Sequence, residues 1–180
     1  MTASPETGVL RLLVHDLPQG HSRHAFRETA RALDLESWLT ARGPVEVDVD
    51  VERRGNQFAV RGTAAVGVEG ECGRCTGEAT ARLEAELLVF SDLRGSDEPA
   101  DEAALEGEGS ILYHDGIELM LDDPVREALI LEVPVVLWCR ADCRGLCPTC
   151  GKNLNEGACG CSTRRSDPRW EALRRLDEKE

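Results

Sequence analysis

The sequence predicts an α+β fold. An antiparallel β-sheet, open or curled into a barrel-like form, is packed with a few helices and followed by a cysteine-rich, zinc-binding C-terminal tail. Three observations predict it. Valine alternates with acid at 45–52 and apolar residues alternate again at 58–68 and 79–89, the period of two of half-buried strands. Asp-Pro pairs at 123–124 and 167–168 mark two helix starts. Eight cysteines stand at metal-ligand spacings. A chain of 180 residues suits one domain, or one domain with a small appendage.

Taken in order, residues 1–44 read as an N-terminal strand/helix segment. The apolar run at 9–14 suits a short strand. In 26–39, Phe26, Ala30, Leu33 and Trp38 lie near helical spacing, and Gly43-Pro44 ends that helix. Residues 45–136 form the β-rich core. Val45, Val47, Val49 and Val51 take one face and Glu46, Asp48, Asp50 and Glu52 the other, which makes the acids a solvent face and not an acid/base pair. Arg54-Gly55-Asn56 is a turn. Phe58, Val60, Ala64, Val66 and Val68 continue the pattern, and Ala79 to Val89 repeats it, giving a meander of three or four strands. Residues 91–110 hold seven acids, one arginine and few large aliphatics, and read as an acidic loop. Residues 111–121 suit a short strand. A helix near 124–133 follows, with Asp123 as N-cap, Pro124 at its first position and Val133-Pro134 as its stop. Residues 137–180 are the cysteine-rich tail and a C-terminal helix striped by Trp170, Leu173 and Leu176.

Charge narrows the function. The formal net charge of −13 argues against an affinity built mainly on nucleic-acid phosphates, and it suits a basic partner. The longest apolar stretch, 128–138, is broken by Glu132 and Pro134 and is too short for a bilayer span of ~20 residues. Glu6 and Arg11 disfavour a signal peptide. The expectation is a cytoplasmic protein without a membrane, in a reducing compartment where dense cysteine means metal or redox chemistry before disulfides.

The cysteines run Cys72-x2-Cys75, then Cys139-x3-Cys143-x3-Cys147-x2-Cys150-x8-Cys159-x-Cys161. Cys147-Pro-Thr-Cys150-Gly-Lys152 has the form of a knuckle whose glycine can take positive φ. Cys147, Cys150, Cys159 and Cys161 make a first Zn2+ site. Cys72, Cys75, Cys139 and Cys143 are the candidates for a second, joining sheet to tail. Alternatively, Cys139 and Cys143 serve the tail ion, or Cys72 and Cys75 remain a metal-free or redox pair, the thiol-oxidoreductase reading. A closed four-thiolate site has no open position for water, so it is structural. About 35 tail residues cannot build an interior of their own, and zinc supplies their folding free energy.

Other features are weaker. His21-x2-His24 could touch a metal only from one helix face. No P-loop, Rossmann fingerprint or nucleophile elbow is present, so catalytic residues are not expected. Arg164, Arg165 and Arg169, with Lys152, make the tail the one place suited to RNA contact.

The stretch 133–155, then Cys159-Gly-Cys161, then Asp167-Pro-Arg-Trp-Glu-Ala-Leu-Arg-Arg-Leu176, is very similar to the C-terminal signature of the YceD family, the large ribosomal RNA subunit accumulation proteins. Gly70-Glu-Cys-Gly-Arg-Cys75 resembles that family's central Cys-x-Arg-Cys element, and the order of elements matches over 45–176. The resemblance implies a non-enzymatic role in accumulation or processing of 23S ribosomal RNA and in ribosome assembly. The implied partners are a large-subunit ribosomal protein and/or precursor 23S rRNA, with no small-molecule substrate. No catalytic residue is carried over.

Overall fold

A computed structural model describes residues 9–93 and 110–161. Its elements are β1 (Arg11–Leu13), β2 (Gly20–Glu28), β3 (Thr40–Ala41), β4 (Val45–Arg54), β5 (Gln57–Glu71), β6 (Glu78–Leu93), β7 (Ser110–His114), β8 (Glu118–Met120) and helix α1 (Asp122–Leu131). The main sheet has the order β2-β4-β5-β6-β7, and β3 pairs with the far end of β5. Its pairings are antiparallel except β6–β7, which is parallel. β1 and β8 form a separate antiparallel pair.

The valine alternation becomes β4, with Val45, Val47, Val49 and Val51 at most 1% exposed. Val47 faces Ala64 and Val51 faces Val60 across the β4–β5 ladder, and Leu87 and Val89 extend the same face on β6. Val125 and Leu129 of α1 close this core over β5 and β6. Gly62 has no room for a side chain, because a Cβ there would lie 2.0 Å from the Asp48 carbonyl oxygen across the ladder. On the outer face the acids meet arginines. Arg23 bonds Asp50 at 3.1 Å, Arg82 reaches Glu46 at 3.3 Å, and Arg54 reaches Glu52 at 2.6 Å. These acids are the solvent face of the sheet.

Several expectations need correction. The sheet is not barrel-like, because β2 and β7 remain its two edges. The helix over 26–39 does not form. Arg27 and Glu28 end a nine-residue strand that pairs with β4, because the ladder groups of β4 need a second neighbour. Residues beyond it make successive turns, with Asp34 at φ 53°, a conformation no α-helix contains. These turns still bury Ala30, Leu33 and Leu35, so the apolar spacing reflected burial and not helix. The expected strand at 9–14 is three residues long and runs into a 3-10 turn at Val14–Asp16. The expected strand at 111–121 divides into β7 and β8.

Asp123 is not the N-cap of α1. The helix begins at Asp122, and its N-cap is Leu121, with no side-chain cap bond. Asp122 Oδ1 instead accepts the backbone N–H of Val9 at 2.9 Å and of Leu10 at 3.3 Å, tying the N-terminal strand to the helix start. Asp123 pairs with Arg126 one turn on. Of the 91–110 loop, Ser91 to Leu93 belong to β6 and Ser110 opens β7, while the rest lies outside the described residues. The helix expected after Asp167 also lies outside them. No helix among the described residues is long and apolar enough to cross a membrane.

Candidate metal centres

The β5–β6 hairpin ends in the loop that carries Cys72 and Cys75. Cys72 N–H donates to the Gly77 carbonyl at 2.7 Å, and Thr76, at φ 56°, donates to the Cys72 carbonyl at 2.9 Å. This tight turn faces both sulfurs the same way. The strand-like segment after α1 crosses it: Cys72 and Leu137 form a parallel bridge, and Gly73 N–H donates to the Leu137 carbonyl at 2.9 Å. Val136 packs so closely on Gly73 that a Cβ would lie 2.3 Å from its Cγ1. Cys139 and Cys143 are thereby delivered to the hairpin sulfurs. Cys75 Sγ lies 3.7 Å from Cys139 Sγ, and Cys72 Sγ lies 3.9 Å from Cys143 Sγ. All four sulfurs fall within 4.8 Å of one another.

The second group is built within the tail. Cys147 N–H donates to the Lys152 carbonyl at 2.8 Å, and Gly151 N–H returns to the Cys147 carbonyl at 2.9 Å, with Gly151 at φ 73°. Pro148 has no N–H, so the donors to the Cys147 sulfur start at Thr149, at 3.4 Å. The sulfurs of Cys147, Cys150, Cys159 and Cys161 also lie within 4.8 Å of one another. The cysteines thus separate four and four, Cys72, Cys75, Cys139 and Cys143 in one group and Cys147, Cys150, Cys159 and Cys161 in the other.

A tetrahedral ion with sulfur ligands at ~2.3 Å sets those ligands about 3.8 Å apart. The 3.7 and 3.9 Å separations of the first group suit that geometry. Backbone N–H groups prepare individual sulfurs as anions. Those of Cys139, Arg74 and Cys75 pull the Cys72 thiol down to about 6, and those of Cys150 and Thr149 do the same for Cys147. Burial, then the sulfurs of Cys143, Cys75 and Cys72, push Cys139 up to about 12. The Cys150 sulfur, then burial, push Cys161 up to about 12. Four thiolates this close repel one another, and a divalent cation relieves that repulsion. The donor set therefore fits a metal ion, and it leaves no carboxylate, imidazole or water among the four positions.

Sequence spacing did not single out the residues that join the two groups. Asn155 lies on the loop between Cys150 and Cys159, yet its Nδ2 donates to the Cys143 sulfur at 3.3 Å. Its Oδ1 accepts from Arg144 N at 2.9 Å and Arg140 Nη2 at 2.7 Å. The Asn155 amide holds the Cys143 thiol below its usual range. Arg74 stacks on the Trp138 ring, 4.0 Å from its centroid, and donates to the Cys143 carbonyl at 3.1 Å. The Arg74 carbonyl accepts Leu146 N–H at 3.1 Å. Gly145, at φ 73°, lets the chain pass the Arg74 backbone.

The remaining candidates separate. Lys152 Nζ donates to the Ala158 carbonyl at 3.3 Å, inside the second group. Arg164, Arg165 and Arg169 lie outside the described residues. His21 and His24 sit on strand β2, not a helix, and point to opposite sides of the sheet, with His24 bonded to Ser22 Oγ at 3.0 Å. The buried histidine is His114. Its Nε2 bonds the Asn56 carbonyl at 2.8 Å and its Nδ1 accepts Gly116 N–H at 3.0 Å, so both ring nitrogens are engaged and neither is left for a metal.

Comparison with known proteins places this architecture. The family model for the large ribosomal RNA subunit accumulation protein YceD matches residues 60–177. An uncharacterized protein of Mycobacterium tuberculosis is 33% identical over 132 residues, covering 72% of this chain and 60% of that protein. A chloroplastic large ribosomal RNA subunit accumulation protein YCED homolog of Zea mays is 28% identical over 186 residues, covering 86% and 61%. Its Arabidopsis thaliana counterpart is 26% identical over 164 residues, covering 76% and 49%. The chain thus spans about half to three fifths of the curated relatives it matches. No solved structure matches. The match runs from near the start of β5 through both cysteine groups, and the chain belongs to the YceD family.

Proposed function

We propose that this chain is a non-enzymatic factor for large-subunit ribosomal RNA accumulation and ribosome assembly in the cytoplasm. It acts by holding a basic ribosomal protein or assembly intermediate on a scaffold stapled by two Zn2+ ions. The observation that carries the reading is the pair of four-sulfur groups within a chain of this family. Each group is closed: four thiolates fill a tetrahedral ion and leave no position for water or substrate. Such centres staple structure. The names of the plant relatives supply the ribosomal context.

A protein partner suits the chain better than RNA held by the tail. Each four-thiolate zinc centre carries roughly two negative charges. Arg74, Arg140 and Lys152 are engaged around those centres, on Trp138 and Cys143, on Asn155 and Asp142, and on Ala158. They balance local charge. The chain as a whole stands at −13, which attracts a cationic protein and repels phosphates.

Two measurements test the reading. Native mass spectrometry should find two zinc ions per chain, with one lost in Cys147→Ser and the other in Cys72→Ser. Iron in place of zinc, or a metal-free chain, ends the zinc assignment. Immobilised chain should retain basic large-subunit ribosomal proteins at low salt and release them as salt rises. Retention of naked precursor 23S rRNA, with no ribosomal protein, would reverse the choice of partner.

A further inference from the structure

The sheet hides its apolar face, but the surface beside the first cysteine group does not. A cavity of about 320 Å³ lies between the turn at 36–40 and the segment at 133–137. Its walls include Trp38, Val133, Pro134 and Leu137, together with Glu36 and Glu69. Trp38 is 59% exposed, and the neighbouring Val135 is 101% exposed. Val136 and Trp138 continue the apolar surface, each about half exposed. A contiguous exposed patch of this kind marks an interaction site more often than single scattered apolar residues do.

The charges at this groove differ from those on the sheet. Glu46, Asp50, Glu52 and Glu84 on the outer face each meet an arginine. Glu36 and Glu69 have no ion pair or side-chain hydrogen bond among the described residues. Arg74, the cation of the hairpin loop, is occupied by the Trp138 ring and the Cys143 carbonyl. The groove therefore offers apolar contact and two uncompensated negative charges at once. A second copy of this chain brings the same net charge of −13, and a nucleic acid brings phosphates, so both are repelled. A cationic polypeptide with apolar anchors is attracted by both features.

We propose that this groove docks a partner segment in which one or two large apolar side chains are flanked by lysine or arginine. The apolar side chains enter between Trp38 and Pro134, and the cations meet Glu36 and Glu69. This proposal rests on the reading of the chain as a holder of basic protein, and gives that reading a surface.

The test uses the full, zinc-loaded chain and a fluorescein-labelled synthetic peptide, Lys-Arg-Lys-Leu-Phe-Lys-Arg-Lys, followed by anisotropy. Binding should weaken as salt rises. Trp38→Ser, which removes an exposed apolar wall of the groove without adding charge, should weaken it about tenfold, as should the double variant Glu36→Lys/Glu69→Lys. Unchanged affinity in both variants overturns the proposal, as does no binding by the parent chain. Equal binding of a peptide with Ser-Ser in place of Leu-Phe reduces the effect to bulk charge and also overturns it. Three results assign another occupant: a single-stranded RNA oligomer bound by the parent chain and lost in Trp38→Ser, a dimer dispersed by Trp38→Ser, or tighter peptide binding in full-length Trp170→Ala/Leu173→Ala. The last would make the chain's own C-terminal segment the occupant. If Trp38→Ser still retains basic ribosomal proteins as the parent does, the groove is wrong and the functional reading stands. If the parent retains none, the functional reading itself falls.

Discussion

The sheet and the cysteine-held region that follows it are ordered by different means. In β4 to β6 the interior is aliphatic: Val47, Val49, Val60, Val66 and Leu87 bury against Val125 and Leu129. Between 138 and 161 the buried side chains are those of Cys143 and Cys147, and Leu146 is 37% exposed. Apolar burial at about 25 cal/mol per Å² can order the first region and has almost nothing to work on in the second. One chain thus joins a region that folds by excluding water to one whose order rests on other means, for which its two four-sulfur groups are the candidates.

Metal removal is the sharpest way to break this comparison. Structural zinc supplies about 10–16 kcal/mol of apparent folding free energy in small peptides near neutral pH. A strong chelator should therefore release the amides of 138–161 to the exchange rates of an unfolded chain. The amides of β4, β5 and β6 should keep most of their protection, apart from the hairpin end near Cys72. Loss of sheet protection at the same chelator concentration would show that the two regions stand or fall together.

The converse experiment acts on the core. Leu129 is fully buried where α1 meets the sheet. Leu129→Ala should cost about 2–5 kcal/mol in urea unfolding, the range of a truncated core leucine. Metal content per chain should not change under native conditions. Loss of either ion in this variant would mean that the sheet platform shapes the metal site more than the comparison allows.

What could be read in advance divides along the same line. Period-two alternation exposed β4, β5 and β6, because a half-buried strand writes its two faces directly into sequence. The grouping of the tail cysteines was legible because knuckle geometry is local, fixed by Pro148 and Gly151. Residues 26–39 misled. Their apolar spacing suits a helix, but pairing of Phe26 with Val47 and the left-handed turn at Asp34 are tertiary outcomes. The linking role of Asn155 was invisible for the same reason. Its partner Cys143 belongs to the other sulfur group, and no spacing rule connects them.

Asn155 gives the comparison its boundary. It is supplied by the second group's loop and touches the first group's sulfur, so the two centres are not independent. Asn155→Asp replaces an N–H donor by a carboxylate beside Cys143. Zinc affinity at the first centre should fall about 10- to 100-fold, the usual effect of losing an outer-shell partner. The second centre should retain its ion. Competition with a chromogenic chelator resolves the two affinities. Equal weakening of both would make Asn155 a generic element of the tail fold, and no change would remove it from the metal shell.

The smallest effect concerns the outer face of the sheet. Arg23 and Asp50 meet across β2 and β4 at 3.1 Å, with both side chains more than half exposed. Solvent screens such a pair, and holding two long side chains in one geometry costs rotamer entropy. Arg23→Ala should therefore change stability by less than about 1 kcal/mol, and the difference should shrink further in high salt. The strand itself is held by its nine-residue ladder and by the half-buried Phe26 packed on the core, neither of which involves Arg23. A loss well above that bound would mean that charge pairing, and not apolar burial, secures the β2 edge. The acids of β4 would then belong to the fold. With the small effect expected here, the acid–arginine pairs of the outer face add little to the fold, and apolar burial on the opposite face holds the strand.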